Sequence, residues 1–307
     1  MTVFRFLLRR ALWGAAVLWA VFTISFFLMK AAPGGPFSGE KKLSPAVQQK
    51  LKAHYLLDRP LREQYFTILW RTAQLNFGPC MRLEDFTVNE VIAQGFPVSC
   101  SLGVLALLFA FTLGTTAGII SAVRRNSLLD VSVMSLATVG IAVPNFLLAS
   151  LSIMLLVFTW HLLPAGGWGT LGQILLPAMC VGFPYAAYLA RLTRTGMLEV
   201  LGNDYIRTAH AKGLTESRVI MRHALRGALL PVVSFLGPAT AGVLTGSLVV
   251  ERIFNIPGMG SHFVEAALVR DYPLAMGALL AYTFLLYVMN MLVDISYAML
   301  DPRVKVE

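Results

Sequence analysis

Charge is scarce in this chain. Only 13% of its 307 residues are Asp, Glu, Lys or Arg, about half the ~25% typical of soluble domains. Cysteine is scarcer still. Cys80, Cys100 and Cys180 are an odd, scattered set, which excludes a disulfide framework and a cysteine metal site. The five histidines, His54, His161, His210, His223 and His262, form no ligand spacing. No G-x-x-x-x-G-K-[ST] is present, so the chain has no P-loop for ATP. H-E-x-x-H and G-x-S-x-G are also missing, which leaves a membrane protease without its metal pair or nucleophile. No segments of about ten residues alternate as lipid-facing strands do.

Apolar sequence fills the space. Hydrophobic residues make up 57% of the chain, and mean hydropathy is +0.69. About 20 apolar residues are needed to cross a bilayer as a helix. Six uncharged runs meet that length: 11–29, 98–123, 131–160, 171–190, 227–250 and 273–293. The expected fold is an all-α polytopic membrane protein with six transmembrane helices. The first run follows Arg5, Arg9 and Arg10 and is longer than a signal-peptide core, so an uncleaved anchor is expected rather than a leader. The net charge of +9 reads as orientation rather than nucleic-acid binding. With both termini cytoplasmic, the inner side collects Arg124, Arg125, seven Lys or Arg between 191 and 226, Arg303 and Lys305, while loop 161–170 holds none.

The chain divides by composition into 1–30 (tail and first helix), an outer segment 31–97, and a five-helix core 98–307. Ser44-Pro45 reads as a helix start, with Val47, Leu51 and Tyr55 at helical spacing. Leu61, Tyr65, Ile68, Leu69, Thr72 and Leu75 form a second stripe. Thr87 and Glu90 have the spacing of a capping box. These short helices either cap the bundle or dock an external partner.

Loop 191–230 is basic and helical in pattern. Gly213 separates 205–212 from a second helix over 216–225, as suits a residue free to take positive φ. Ile206, Ala209, Leu214, Val219 and Ile220 have no lipid to enter there, so a protein partner is the expected destination. Arg207, Lys212, Arg218 and Arg222 either contact that partner or hold the loop inside.

This loop resembles the EAA loop of integral-membrane permease subunits of ABC importers. Its first block reads Arg207-Thr208-Ala209, with Gly213 at the family's distance, and Leu230-Pro231 is displaced onward. Those departures match the oligopeptide, dipeptide and nickel branch. Phe6-Leu7-Leu8-Arg9-Arg10, Ala32-Pro33-Gly34-Gly35-Pro36-Phe37, Asn76-Phe77-Gly78, the run Glu251 to Gly260, Arg270-Asp271-Tyr272-Pro273 and Asp301-Pro302-Arg303 extend the resemblance over nearly the whole chain. It implies a type I ABC importer permease fold in the bacterial inner membrane and half of a path for peptides, most readily oligopeptides. Dipeptide, antimicrobial-peptide and nickel transport belong to the same family. The implied partners are a homologous second permease, two cytoplasmic ATPase subunits that bind ATP and Mg, and an external peptide-binding protein. The chain itself would bind no cofactor and catalyse no reaction. Ile206, Arg207, Thr208, Ala209, Lys212, Gly213, Leu214, Glu216, Val219 and Ile220 would then form the ATPase-coupling loop.

Within the runs, Pro144, Pro177, Pro184, Pro231 and Pro238 are expected to kink helices around a central space. Asn145, Tyr185 and Tyr188 either line a path or bond between helices. Ser247, with Gly242 and Gly246, either joins that lining or belongs to a close helix contact. Glu251 and Asp294 are expected to pair with nearby Arg. An ion-coupled secondary transporter is the rival reading, but no internal repeat or midplane ionisable cluster supports it.

Overall fold

The computed structural model describes residues 3–32, 45–83 and 85–300. Ser44, Pro33 to Phe37 and Asp301 to Arg303 lie outside them, as do the side chains of Val47 and Asp294. Helices dominate, and a single bridge between Pro79 and Thr87 is the only extended pairing among the described residues.

The chain forms two compact units. The first comprises residues up to Pro97 together with Gly258–Tyr287. It holds α1 (Val3–Ala31), α2 (Pro45–His54), α3 (Leu61–Ala73), the start of α4 (Val88–Val123), α13 (Met259–Val269) and most of α14 (Tyr272–Leu300). Phe22 and Phe26 of α1 bury against Met276 and Leu280 of α14 under Tyr65, Ile68 and Leu69 of α3. The middle of the stripe read from the sequence thus packs inward, while its two ends do not: Leu61 is 53% exposed, and Leu75 lies beyond α3 and is 73% exposed. The capping box is formed. Thr87 N donates to Glu90 Oε2 at 2.7 Å, and Glu90 N donates to Thr87 Oγ1 at 3.3 Å.

The second unit runs from Val98 to Pro257 and takes up the chain again after Tyr287. It contains the rest of α4, then α5 (Leu128–Ala142), α6 (Asn145–Ser152, continuing as a π-helix to Thr159) and α7 (Leu171–Leu201). Next come α8 (Asp204–Ala211), α9 (Glu216–Arg218, continuing as a π-helix to Ala224), α10 (Leu225–Ala228), α11 (Leu230–Gly246) and α12 (Leu248–Ile253). Helix α7 begins with a full capping box, Thr170 against Gln173. It runs past the end of the uncharged sequence and organises the unit.

Glycines set how close its neighbours come. A Cβ on Gly114 would stand 2.5 Å from the Ala186 carbonyl oxygen, and one on Gly118 2.5 Å from that of Ala190. Small residues four apart on both α4 and α7 let the two backbones touch, which drives helix association where water supplies no hydrophobic force.

Four helices are long and apolar enough to cross a membrane: Leu8–Ala31, Val88–Val123, Leu171–Leu201 and Tyr272–Leu292. The number rises to six if each of two bent pairs is one span. The uncharged run 131–160 is therefore not one straight helix. It turns by 111° between α5 and α6. A proline disfavours α geometry in the residue before it, and Val143 is extended at φ −81°, ψ 124° ahead of Pro144. The second pair bends by 53° at Leu229, beside Pro231. Pro177 and Pro184 break nothing, because α7 continues through both.

Candidate functional site

The segment 204–228 folds as a knob at the end of α7. Asn203 leads into α8, and Gly213 turns the chain at φ +76° with open space around it. Across that turn His210 Nε2 and Glu216 Oε2 lie 3.0 Å apart. Asp204 pairs with Arg207 at 3.3 Å, but both side chains are solvent-exposed, so the pair contributes little.

The apolar face of the knob corrects the sequence expectation. Ile206, Ala209, Val219 and Ile220 are buried within this chain. They pack on Ala122, Met197, Val200, Ala224 and Ala228, with Leu214 at the margin. The ends of α4 and α7 extend as a seat beneath the knob, and the sequence pattern does not reveal that floor. What a partner would meet is the other face. Tyr205 and Met221 are exposed, at 48% and 60%, as are Arg207, Thr208, Lys212, Glu216, Arg218 and Arg222.

Above the seat lies a polar junction that the sequence reading missed. Arg194 of α7 donates through Nε to Asp130 Oδ1 at 2.7 Å and through Nη2 to Oδ2 at 2.8 Å. Ser121 Oγ of α4 also donates to Asp130 Oδ1. The backbone N of Asn126, a turn residue at φ +62°, donates to Oδ2 at 2.9 Å. The Asp130 side chain is 3% exposed. Four donors thus satisfy one buried carboxylate, and the paired geometry fixes the Arg orientation. Arg191 adds a second tie from α7 to α5, donating to Thr138 Oγ1 at 3.2 Å.

The expected path residues have separate placements. Asn145 is half-buried at the first position of α6, just past the bend. Tyr185 is half-buried with its hydroxyl against Gly242 of α11. Tyr188 is 40% exposed and stacks on Phe235, ring centres 4.3 Å apart. Ser247 faces no open space. It is fully buried and donates to Glu251 Oε1 at 2.7 Å. Glu251 is fully buried too.

In the first unit, Asp271 performs a comparable task. Its Oδ2 accepts from Met81 N at 2.8 Å and Arg82 N at 3.0 Å, and its Oδ1 accepts from Leu274 N at 3.2 Å. It therefore caps α14 and pins the chain at 81–82. Burial pushes the Asp271 carboxyl up, with the three backbone donors opposing that shift. Cys80, buried beside it, has a thiol pushed up to about 12, first by burial and then by the Asp271 and Glu90 charges. No group of three or more His, Cys, Asp or Glu among the described residues has the arrangement of a metal site.

The bent apolar helices and the seated knob define a multi-pass integral membrane protein with the fold of ABC-transporter permeases. A chain of the solved structure "Inward facing conformations of the MetNI methionine ABC transporter: CY5 SeMet soak crystal form" superposes with TM-score 0.56 at 16% identity, covering 66% of this chain and 93% of that one. Residues 114–306 match the family model "Binding-protein-dependent transport system inner membrane component", and the chain belongs to that family. It is 44% identical over 303 residues to the Oligopeptide transport system permease protein OppB of Escherichia coli K12, covering 98% of this chain and 99% of the relative. It is 45% identical over 301 residues to the Dipeptide transport system permease protein DppB of Bacillus subtilis 168, covering 98% of each.

Proposed function

We propose that the chain is one of two homologous permease subunits of an ATP-binding-cassette importer of oligopeptides in the bacterial inner membrane. The observation that carries this reading is the end-to-end similarity to an oligopeptide permease protein over 98% of the chain. The physical picture is consistent with it. The chain crosses the bilayer six times with both termini inside: α1, α4, the bent α5–α6 pair, α7, α11 with its bent approach, and α14. The basic knob then lies in the cytoplasm, as the distribution of Lys and Arg favours.

An ATPase subunit grips the exposed face of the knob around Tyr205, Lys212 and Met221. ATP and Mg bind there, on the partner. The burial of Ile206, Val219 and Ile220 makes the knob one body with α7, so a push on its outer face moves the helix rather than flexing a loop. Apolar contacts at Tyr205 and Met221 supply affinity, and the surrounding charges set register. An external binding protein delivers peptide to the opposite side.

The dipeptide reading stands second, supported by the 45% identity to a dipeptide permease protein. One experiment separates these readings and tests the class. The chain is expressed with its neighbouring transport genes in a bacterium lacking its own peptide importers, and uptake of labelled dipeptides and pentapeptides is measured. Pentapeptide uptake that stops on ATP depletion and survives an ionophore is expected. Uptake abolished by the ionophore alone would overturn the ABC reading, and uptake restricted to dipeptides would replace the substrate.

A further inference from the structure

The knob and the bend at Pro144 lie on different helices, and a two-pronged ion pair joins α7, on which the knob sits, to α5, which leads to the bend. Arg194 and Met197 are one turn apart on α7. Met197 is fully buried in the seat under Ile206 and Val219. Arg194 holds Asp130 at the start of α5 through two bonds of 2.7 and 2.8 Å. Helix α5 then runs to Ala142 and ends at the 111° turn that places Asn145.

We propose that Asp130 and Arg194 are a positioning pair that carries displacement of the 204–228 knob through α7 to α5 and the bend at Pro144. The proposal rests on the reading of the knob as the ATPase contact. Several features fit this role better than simple glue. An ion pair whose Arg side chain is 24% exposed is a modest source of stability. What a two-pronged Arg–carboxylate contact offers is a fixed direction and register. Here that register is locked from three sides: Ser121 on α4, Asn126 in the α4–α5 turn and Arg194 on α7. Helix α7 is unbroken from Leu171 to Leu201, so it transmits movement as a rod. The other polar tie between α5 and α7 described above is the single Arg191–Thr138 bond at 3.2 Å, and further along Gly140 makes an apolar contact with Phe183 and Ala187. A single bond to a hydroxyl and apolar contacts fix direction less firmly than the two-pronged pair. With the pair cut, α7 would move and α5 would lag.

The test uses the whole importer, both permeases with ATPases and binding protein, reconstituted in liposomes. Peptide uptake and ATP hydrolysis stimulated by loaded binding protein are measured on the same preparation. In D130N and R194Q, hydrolysis is expected to stay within about twofold of the parent while peptide taken up per ATP falls about tenfold. Uptake and hydrolysis falling in equal proportion, or neither changing, would overturn the proposal.

A second variant guards against simple unfolding. D130C/R194C, in a C80A/C100A/C180A background, is assayed before and after bridging with a short bis-maleimide. Recovery of uptake per ATP on bridging supports the link, because a covalent tie then replaces the ionic one. No recovery overturns it. A parent complex that shows no ATP-driven uptake would refute the proposed function itself, and this proposal with it, before any variant is made.

Discussion

Asp271 and Met81 are far apart in the sequence, yet the Asp271 carboxylate accepts the Met81 backbone N–H at 2.8 Å. The same carboxylate takes the N–H of Arg82 and caps α14 through Leu274. Hydrogen bonds to a charged group contribute about 1.5–3 kcal/mol each. Asp271→Ala should therefore release residues 78–83, seen as faster backbone hydrogen exchange there and a lower Tm of the purified protein. The pH dependence follows from the raised carboxyl pKa. The unfolded chain loses this proton near the ordinary Asp value of about 3.9, while the folded chain keeps it to higher pH. Over that window the folded state binds more protons, so stability falls as pH rises. Asp271→Asn should remove that component of the slope. An unchanged slope in the Asn variant would show that Asp271 does not titrate in this way.

The α4–α7 contact tolerates no added atom. A Cβ at Gly118 would also stand 2.6 Å from the Thr193 Cβ. Overpacking of this kind costs about 1–3 kcal/mol. Gly114→Val and Gly118→Val are expected to lower Tm in detergent and reduce the folded yield. Gly172→Ala is the control, since its nearest neighbour, Pro164 Cδ, lies at an ordinary 3.5 Å. It should be neutral or mildly stabilising. Equal behaviour of all three variants would contradict the tight contact.

The two faces of the knob should respond differently to truncation. Ile206 is 2% exposed, and truncating a buried Ile to Ala costs about 2–5 kcal/mol. Ile206→Ala should therefore loosen the knob, with protease cleavage appearing within 204–228. Met221→Ala should leave the protein's Tm unchanged and weaken retention of the ATPase subunits on purification. If Met221→Ala retained them fully, the outer face would not be the contact.

Gly213 is at φ +76°, where an L-residue costs about 1–2 kcal/mol. Gly213→Val should still insert and assemble with its partner permease while losing transport. The check is peptide uptake alongside subunit recovery. Normal uptake by this variant would mean that the left-handed turn is dispensable.

Features set by adjacent residues were legible in the sequence. The Thr87–Glu90 capping box and the turn at Gly213 follow from local chemistry. Prolines were half legible. Pro144 and Pro177 look alike in sequence, but only Pro144 follows a residue that left the helix. At Pro177 and Pro184 the surrounding packing of α7 keeps one helix intact. The seat under Ile206 was hidden because an amphipathic stripe does not state whether its cover is a partner or the same chain. The Asp130–Arg194 pair was hidden for a related reason. Arg194 was one basic residue among several in a basic loop, and nothing near it in sequence points to a carboxylate on α5. The spacing of Gly114 and Gly118 within run 98–123 is the same four-residue signal that Gly242 and Gly246 carry.

The burial of Cys80 gives the protein a reporter of its own. A thiol pushed up to about 12 and shielded from water is expected to react slowly with maleimide at neutral pH, because the thiolate is the nucleophile. Its alkylation rate is therefore expected to rise when the grip of Asp271 on the neighbouring backbone is removed, as in Asp271→Ala. The rate measured with and without the peptide-loaded binding protein of the proposed importer would show whether that protein alters the packing around Cys80.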